Sequence, residues 1–262
     1  MILFPILTLL SGFFISLAIH HLNQSLSNYY DFVALTMVLG GTFSVGVVLI
    51  PWEYRTDLLK SIKSLFKPEK RRYKQIVTEC LNLLRLEKLP GTEGKKGDLY
   101  LRILSEGLEL VQLGFSGEKI DRILGEKVFQ SVKRVRKIGA AVKGLAKYPP
   151  AFGLMGTVLC LVNIMKHLAA ATDASKLGVE MSVALVATMY GLLVANFFVQ
   201  PIGELLMKKA DEEEEYAEIA LQAVLLFKER ASLVEAHEIL SAMVPDEQRL
   251  DFNEIVTLEE AA

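Results

Sequence analysis

Residues 148–165 read YPPAFGLMGTVLCLVNIM, and residues 181–203 read MSVALVATMYGLLVANFFVQPIG. Neither stretch contains a Lys, Arg, Asp or Glu. A helix needs about 20 mostly apolar residues to cross the hydrocarbon of a bilayer, and a lone charge at that depth is costly. The two stretches therefore read as membrane spans joined by a short link. Two more uncharged runs lie upstream. Residues 1–30 carry no acid or base except the titratable His20 and His21, and residues 32–52 form the other run. The first run lacks the basic head of a signal peptide, and a second apolar run follows at once. It reads as a retained helix.

The charge map agrees with this reading. The chain has 262 residues, 23% of them charged, and a net charge of −2. All 29 Lys and Arg lie at or after Arg55, and 22 of them fall within residues 53–147. A soluble globule needs charge on every surface element, so this distribution excludes an ordinary soluble enzyme and a disordered or collagenous chain. Cys80 and Cys160 are too few for a disulfide framework and lack metal-ligand spacing. The net charge leaves no global basic footprint for nucleic acid. The short links between spans one and two and between three and four are poor in base, so the positive-inside rule places 53–147 and the tail in the cytoplasm. The expected fold is an all-α integral membrane protein. Residues 1–52 hold transmembrane helices 1 and 2, and 53–147 form a cytoplasmic helical domain. Residues 148–203 hold transmembrane helices 3 and 4, and 204–262 form a cytoplasmic helical tail. Both termini are expected inside.

Helical periodicity supports the domain between the spans. Val77, Leu81 and Leu84 form a stripe in residues 68–89, as do Leu101, Leu104, Leu108 and Val111 in 99–113. Over 118–146, Ile120, Leu124, Val128, Val135, Ile138 and Val142 share one face. Lys133, Arg134, Arg136 and Lys137 occupy the other. The stretch Pro90–Gly97 reads as a turn or loop, and Glu204–Glu229 as a helix carrying the acidic block Asp211–Glu215. No period-two alternation predicts a sheet.

Little in the chain points to catalysis. No phosphate loop, metal box or Ser-His-Asp context is present. His20 and His21 are adjacent on a helix and point apart, so an interfacial role outweighs metal binding. The Asp211–Glu215 block reads as a solvated helix face, with a basic partner surface as the alternative. The last two spans are more specific. Pro149 and Pro150 open the third, where proline costs no hydrogen bond. Gly153 and Gly156 permit close backbone approach, and Thr157 places a hydroxyl at depth. The fourth carries Thr188, Tyr190, Gly191, Asn196 and Pro201. Such hydroxyls serve either as packing contacts or as ligands for water or a cation. No carboxylate sits in the middle of any span, so an ion pathway here needs one from another polypeptide.

Residues 148–203 resemble the flagellar stator A subunit, the MotA/PomA branch of the MotA/TolQ/ExbB ion-channel family. The resemblance rests on Pro150-Ala-Phe-Gly-Leu-Met-Gly-Thr157, Val183-Ala-Leu-Val-Ala-Thr188-Met-Tyr-Gly191 and Gln200-Pro201-Ile202. Val38-Leu-Gly-Gly-Thr42, Glu106-Gly-Leu-Glu-Leu-Val111 with Gly114, and Ala223-Val-Leu-Leu226 extend it along the chain. It implies no enzyme and no cofactor beyond the transported proton or sodium ion. It implies a homopentamer in the bacterial inner membrane, around a B subunit that brings the membrane aspartate and a peptidoglycan-binding domain. A rotor protein of the flagellar switch is the implied cytoplasmic partner.

By position, Pro150 and Pro201 match the family's two functional prolines, and Thr157 the threonine that faces the partner aspartate. Gly153, Gly156 and Tyr190 belong to the same pathway motifs. Thr188 matches the second of a Thr-Thr pair whose first member is Ala187 here, which favours protons over sodium. Arg85 and Glu93 have the eight-residue spacing of the family's torque pair. Pro90 interrupts that interval, and an ungapped alignment from Gly107 places Glu87 and Lys95 there instead. An ExbB/TolQ-like or gliding-type energiser is the alternative task. A non-transporting scaffold, with basic helices on lipid or a cytosolic partner, is the alternative of another class.

Overall fold

The computed structural model describes residues 16–17, 29–65, 73–86, 98–169 and 174–249. The first expected span falls almost wholly outside these, as do Pro90–Gly97, Glu93, His20 and His21. Every regular element among the described residues is helical. They are α1 (Phe32–Leu49), α2 (Trp52–Leu65), α3 (Tyr73–Leu86), α4 (Leu99–Gln112), α5 (Gly117–Leu145), α6 (Tyr148–Ala169) and α7 (Ala174–Leu193). A π-helical segment (Val194–Val199), α8 (Gln200–Glu229), α9 (Leu233–Ala242) and a 3-10 turn (Asp246–Gln248) follow.

The chain divides into two compact units. One comprises residues 1–68 and 136–207, the other 69–135 and 208–262. Among the described residues, three helical runs are long and apolar enough to cross a membrane: Phe32–Leu49, Gly117–Ala169 and Leu177–Glu229.

In the first unit, α1 starts at Asp31, whose carboxylate accepts the Ala34 amide at 2.7 Å. An acidic N-cap satisfies an orphan amide and complements the helix dipole. The helix stops before Pro51, which has no amide to continue it. The Arg55 guanidinium then donates to the Val47 and Ile50 carbonyls and lies 3.8 Å over the Trp52 ring. The last carbonyls of α1 thus find a cation. Helix α1 packs against α6 and α7. Gly41 lies so close to the Phe152 ring that a Cβ there would fall 2.5 Å from it. A second cluster joins Ile138, Val142 and Leu206 to Tyr54, Leu58 and Ile202.

The π-helical segment has a local cause. Pro201 lacks an amide, and its ring would clash with the carbonyl four residues back in a regular helix. One extra residue per turn ahead of it relieves that clash.

In the second unit, most of the expected stripe residues are buried, while Leu84, Val111 and Val135 are half-buried at its edge. Val77 and Leu81 of α3, Leu101, Leu104 and Leu108 of α4, and Ile120, Leu124 and Val128 of α5 enter one core. Ile219 of α8 and Leu240 of α9 join them. Each fully buried Leu or Ile contributes about 1.5–3 kcal/mol. Helix α4 ends in a left-handed glycine, Gly114 with φ 76°, and the Phe115 amide bonds back to the Leu110 carbonyl at 3.1 Å. Helix α8 ends in the same way, but Arg230 takes the left-handed position with φ 57°. The basic side chains Lys133, Arg134 and Lys137 are exposed and Arg136 is half-buried.

Candidate functional site

Helices α6 and α7 pack along their lengths in opposite directions, because Pro149 meets Gly191, Gly153 meets Ala187 and Thr157 meets Ala184. Small residues make this possible. A Cβ on Gly153 would sit 2.8 Å from the Ala187 carbonyl oxygen, and one on Gly191 would sit 2.6 Å from that of Pro149. One on Gly156 would reach the Ala187 methyl at 3.0 Å. Pro149 and Pro150 lie in the first turn of α6, where no amide is lost, and present their backbone to Gly191.

This close approach brings two hydroxyls together. Thr157 Oγ1 and Thr188 Oγ1 are 2.6 Å apart. Thr157 Oγ1 is 3.2 Å from both the Gly153 and the Ala184 carbonyl oxygens, and Thr188 Oγ1 is 3.5 Å from the same two. Two hydroxyls have two protons and four lone pairs. One proton joins the pair and the other reaches a carbonyl. Oxygen lone pairs remain, half-buried, for a water or a cation. The cluster is neutral, so it holds a cation only weakly without a nearby anion. Ala187, the position without a hydroxyl, is buried against the glycines of α6.

Tyr190, two residues after Thr188, ties α7 to the head of α1. Its hydroxyl donates to the Tyr29 carbonyl at 2.6 Å and accepts the Asp31 amide at 3.3 Å. Pro201 lies beyond the π-helical segment and does not join the hydroxyl cluster. Nearby Gly203 packs on the backbone of Lys143, whose ammonium lies 3.2 Å from Glu204. Asn196 bonds to the Leu192 carbonyl at 2.9 Å and is exposed. Arg85 is half-buried in the last turn of α3, and its proposed companion Glu93 is outside the described residues.

Hydropathy reading misses one cluster. Helix α7 begins at Ala174, so Glu180 lies inside it and not ahead of the span. Glu180 Oε1 is 2.8 Å from His167 Nδ1 and accepts from Asn163 Nδ2 at 2.8 Å. Its Oε2 is shielded from solvent and has no hydrogen-bond partner among the described residues. The signal in the sequence is the i, i+4 pair Asn163 and His167 on one face of α6. No group of three or more His, Cys, Asp or Glu among the described residues could hold a metal ion.

Residues 97–219 match the MotA/TolQ/ExbB proton channel family. The matched stretch includes both hydroxyls and all the glycines around them. Among individual proteins, the chain is 27% identical to motility protein A of Bacillus subtilis over 230 residues, 84% of this chain and 82% of that one. Its fold matches the structure of C. jejuni MotAB with a TM-score of 0.83 at 16% identity, over 96% of this chain and 100% of that one. It also matches the flagellar MotAB stator complex from Bacillus subtilis with a TM-score of 0.78 at 24% identity, over 96% and 98%.

Proposed function

We propose that this chain is the ion-conducting A subunit of a flagellar stator, coupling ion flow to rotation. The observation that carries the reading is the Thr157–Thr188 hydroxyl pair, 2.6 Å apart between two glycine-packed apolar helices. The likeness to motility protein A and to MotAB complexes supports it. In this reading the chain crosses the inner membrane four times, with a helical domain at 53–147 and both termini in the cytoplasm. Several copies, five by resemblance, surround a B subunit that brings a membrane aspartate and a peptidoglycan-binding domain. The rotor protein of the flagellar switch meets the cytoplasmic helices, and Arg85 and Glu93 are the candidates for that contact.

The mechanism follows from charge and depth. An ionised partner carboxylate beside Thr157 and Thr188 is stabilised when one hydroxyl turns its proton from a backbone carbonyl to the carboxylate. Protonation removes its charge and lets apolar helix surface slide past it. Re-ionisation favours the next hydroxyl pair around the ring. Pro150, at the start of α6, and Pro201, after the π-helical segment, flank the moving spans. A potential of 100 mV supplies about 2.3 kcal/mol per charge, so several ions drive each useful stroke. The single hydroxyl at 187/188 favours protons.

Thr157→Val keeps the shape and removes the hydroxyl. We expect it to abolish ion flux and motility in cells that make the partner, and Pro150→Leu to impair both. Wild-type flux and swimming in both variants would overturn the reading.

A further inference from the structure

We propose that Tyr190 is a positioning residue: by bonding the main chain at the head of α1 it fixes the rotation of α7 about its own axis, and so holds the Thr188 hydroxyl against Thr157. This rests on the stator reading, which gives the hydroxyl pair its task. The resemblance groups Tyr190 with the pathway motifs, but its hydroxyl bonds the backbone of another helix rather than the hydroxyl cluster. It donates to the Tyr29 carbonyl at 2.6 Å and accepts the Asp31 amide at 3.3 Å.

Successive residues of an α-helix lie about 100° apart around its axis, so Thr188 and Tyr190 leave α7 about 200° apart, on nearly opposite sides. Thr188 faces α6, where Thr157 Oγ1 is 2.6 Å away. Tyr190 faces the head of α1. Val186 and Ala187 are buried with Ala34 of α1, and Tyr190 packs on the same cluster. Apolar contacts between small side chains let a helix turn. Hydrogen bonds on two opposite sides do not. A side-chain oxygen about 5 Å from the helix axis moves nearly 2 Å for a rotation of about 20°. A hydroxyl–hydroxyl bond does not survive a shift of that size.

Helix α1 is a firm anchor. The Met37 sulfur lies 3.4 Å from where a Cβ on Gly156 would stand, and the Phe152 ring closes on Gly41. The Asp31 carboxylate fixes the first turn by accepting the Ala34 amide at 2.7 Å. The Asp31 amide stands ahead of that turn and has no carbonyl of its own helix to bond, so the phenol oxygen serves as its acceptor. Deleting the Tyr190 hydroxyl frees the α1 side of α7 and leaves the α6 side alone to set the rotation.

The test is ion flux through the complete complex in vesicles, with protons and sodium both followed. Tyr190→Phe keeps the ring and removes the hydroxyl. It should co-purify with the partner and lower flux severalfold. Thr188→Val should also lower flux. The double variant should be no worse than Thr188→Val alone, because Tyr190 then has no hydroxyl to place, whereas a general loss of packing would multiply the two defects. Val33 and Leu192 are exposed on α1 and α7. Nitroxides there, in a background lacking Cys80 and Cys160 and diluted with unlabelled chain, should give a narrow distance distribution that broadens in Tyr190→Phe. Wild-type flux in Tyr190→Phe would overturn the proposal, as would defects that multiply or a distribution that stays narrow. Loss of co-purification would overturn it too, since the hydroxyl would then serve assembly. If Thr188→Val carries no flux, the distance distribution decides alone. Thr157→Val separates the two ideas. No flux in that variant beside wild-type flux in Tyr190→Phe sinks the positioning role alone. Wild-type flux in Thr157→Val sinks the stator reading and the positioning role with it.

Discussion

At the scale of single residues, contact distances decide more than residue type. Gly191 is a case where the missing side chain matters. A Cβ there would meet backbone atoms, the Pro149 oxygen at 2.6 Å and Pro150 Cα at 3.0 Å, which cannot swing aside. Gly191→Ala should cost about 1–3 kcal/mol through overpacking. It should also lower flux, because the helices must part where Thr157 and Thr188 bond. Gly178 offers the control, since nothing lies within 4 Å of its Cβ position. Gly178→Ala should leave flux unchanged and raise helix stability by about 0.5–1 kcal/mol. Equal effects of the two substitutions on thermal stability and flux would refute this account.

Tyr73 shows the same logic in the second unit. Its hydroxyl donates to Glu215, and its ring meets Tyr216 edge-on with centroids 4.9 Å apart. Burial, then the Glu215 hydrogen bond and charge, push the phenol well above its ordinary range. A raised folded value means the folded state holds the proton more tightly. The stabilisation is complete below the unfolded value of about 10 and is lost as pH rises above it. Urea unfolding of the wild-type chain should therefore weaken above about pH 10. Tyr73→Phe should flatten that alkaline decline and cost about 1 kcal/mol at neutral pH. An unchanged alkaline slope in the variant would dispose of the assignment.

Elements were legible where their period was long and their face uniform. The stripes of α3, α4 and α5 point inward because apolar residues at helical spacing have one way to be buried together. The hydroxyl pair was legible as two polar residues in apolar runs, but its 2.6 Å contact depends on the register set by Gly153 and Gly191. Glu180 was not legible from hydropathy, because an uncharged window ends at the first acid. In sequence, a carboxylate contacted by side chains of another helix looks the same as one in solvent. Helix α9 is only ten residues long, so its stripe is faint. Its start is marked by Ser232, whose hydroxyl accepts the Glu235 amide at 3.2 Å. The corner before it carries a strained position. Arg230, at φ 57°, takes the place where α4 uses Gly114. A side chain in this conformation costs about 1 kcal/mol that glycine avoids. Arg230→Gly should slow hydrogen exchange at the α8–α9 corner by up to about fivefold, which corresponds to roughly 1 kcal/mol. Faster exchange would show that the Arg230 side chain contributes more than its backbone costs.

For the whole molecule, the lopsided charge map and the exposed apolar faces are one fact. Leu154, Leu159, Val162, Met165 and Leu185 are all exposed on α6 and α7 of the single chain. A soluble monomer does not leave contiguous apolar surface of this extent in water. Lipid, other copies or the partner subunit must cover it. In the second unit, by contrast, apolar residues turn inward and charges such as Lys119 and Asp121 face out. Nitroxide probes distinguish these environments. Placed at Leu159 and Leu185 in the assembled complex, in a background lacking Cys80 and Cys160, they should be quenched by oxygen or immobilised at a protein contact. They should stay shielded from a water-soluble relaxant. Probes at Lys119 and Asp121 should show the reverse order. If the relaxant reached Leu159 and Leu185 as readily as Lys119, neither bilayer nor partner would cover these helices. The hydroxyl pair between them would then lie in an aqueous cleft, where a high dielectric leaves it too weak to hold an ion or select one.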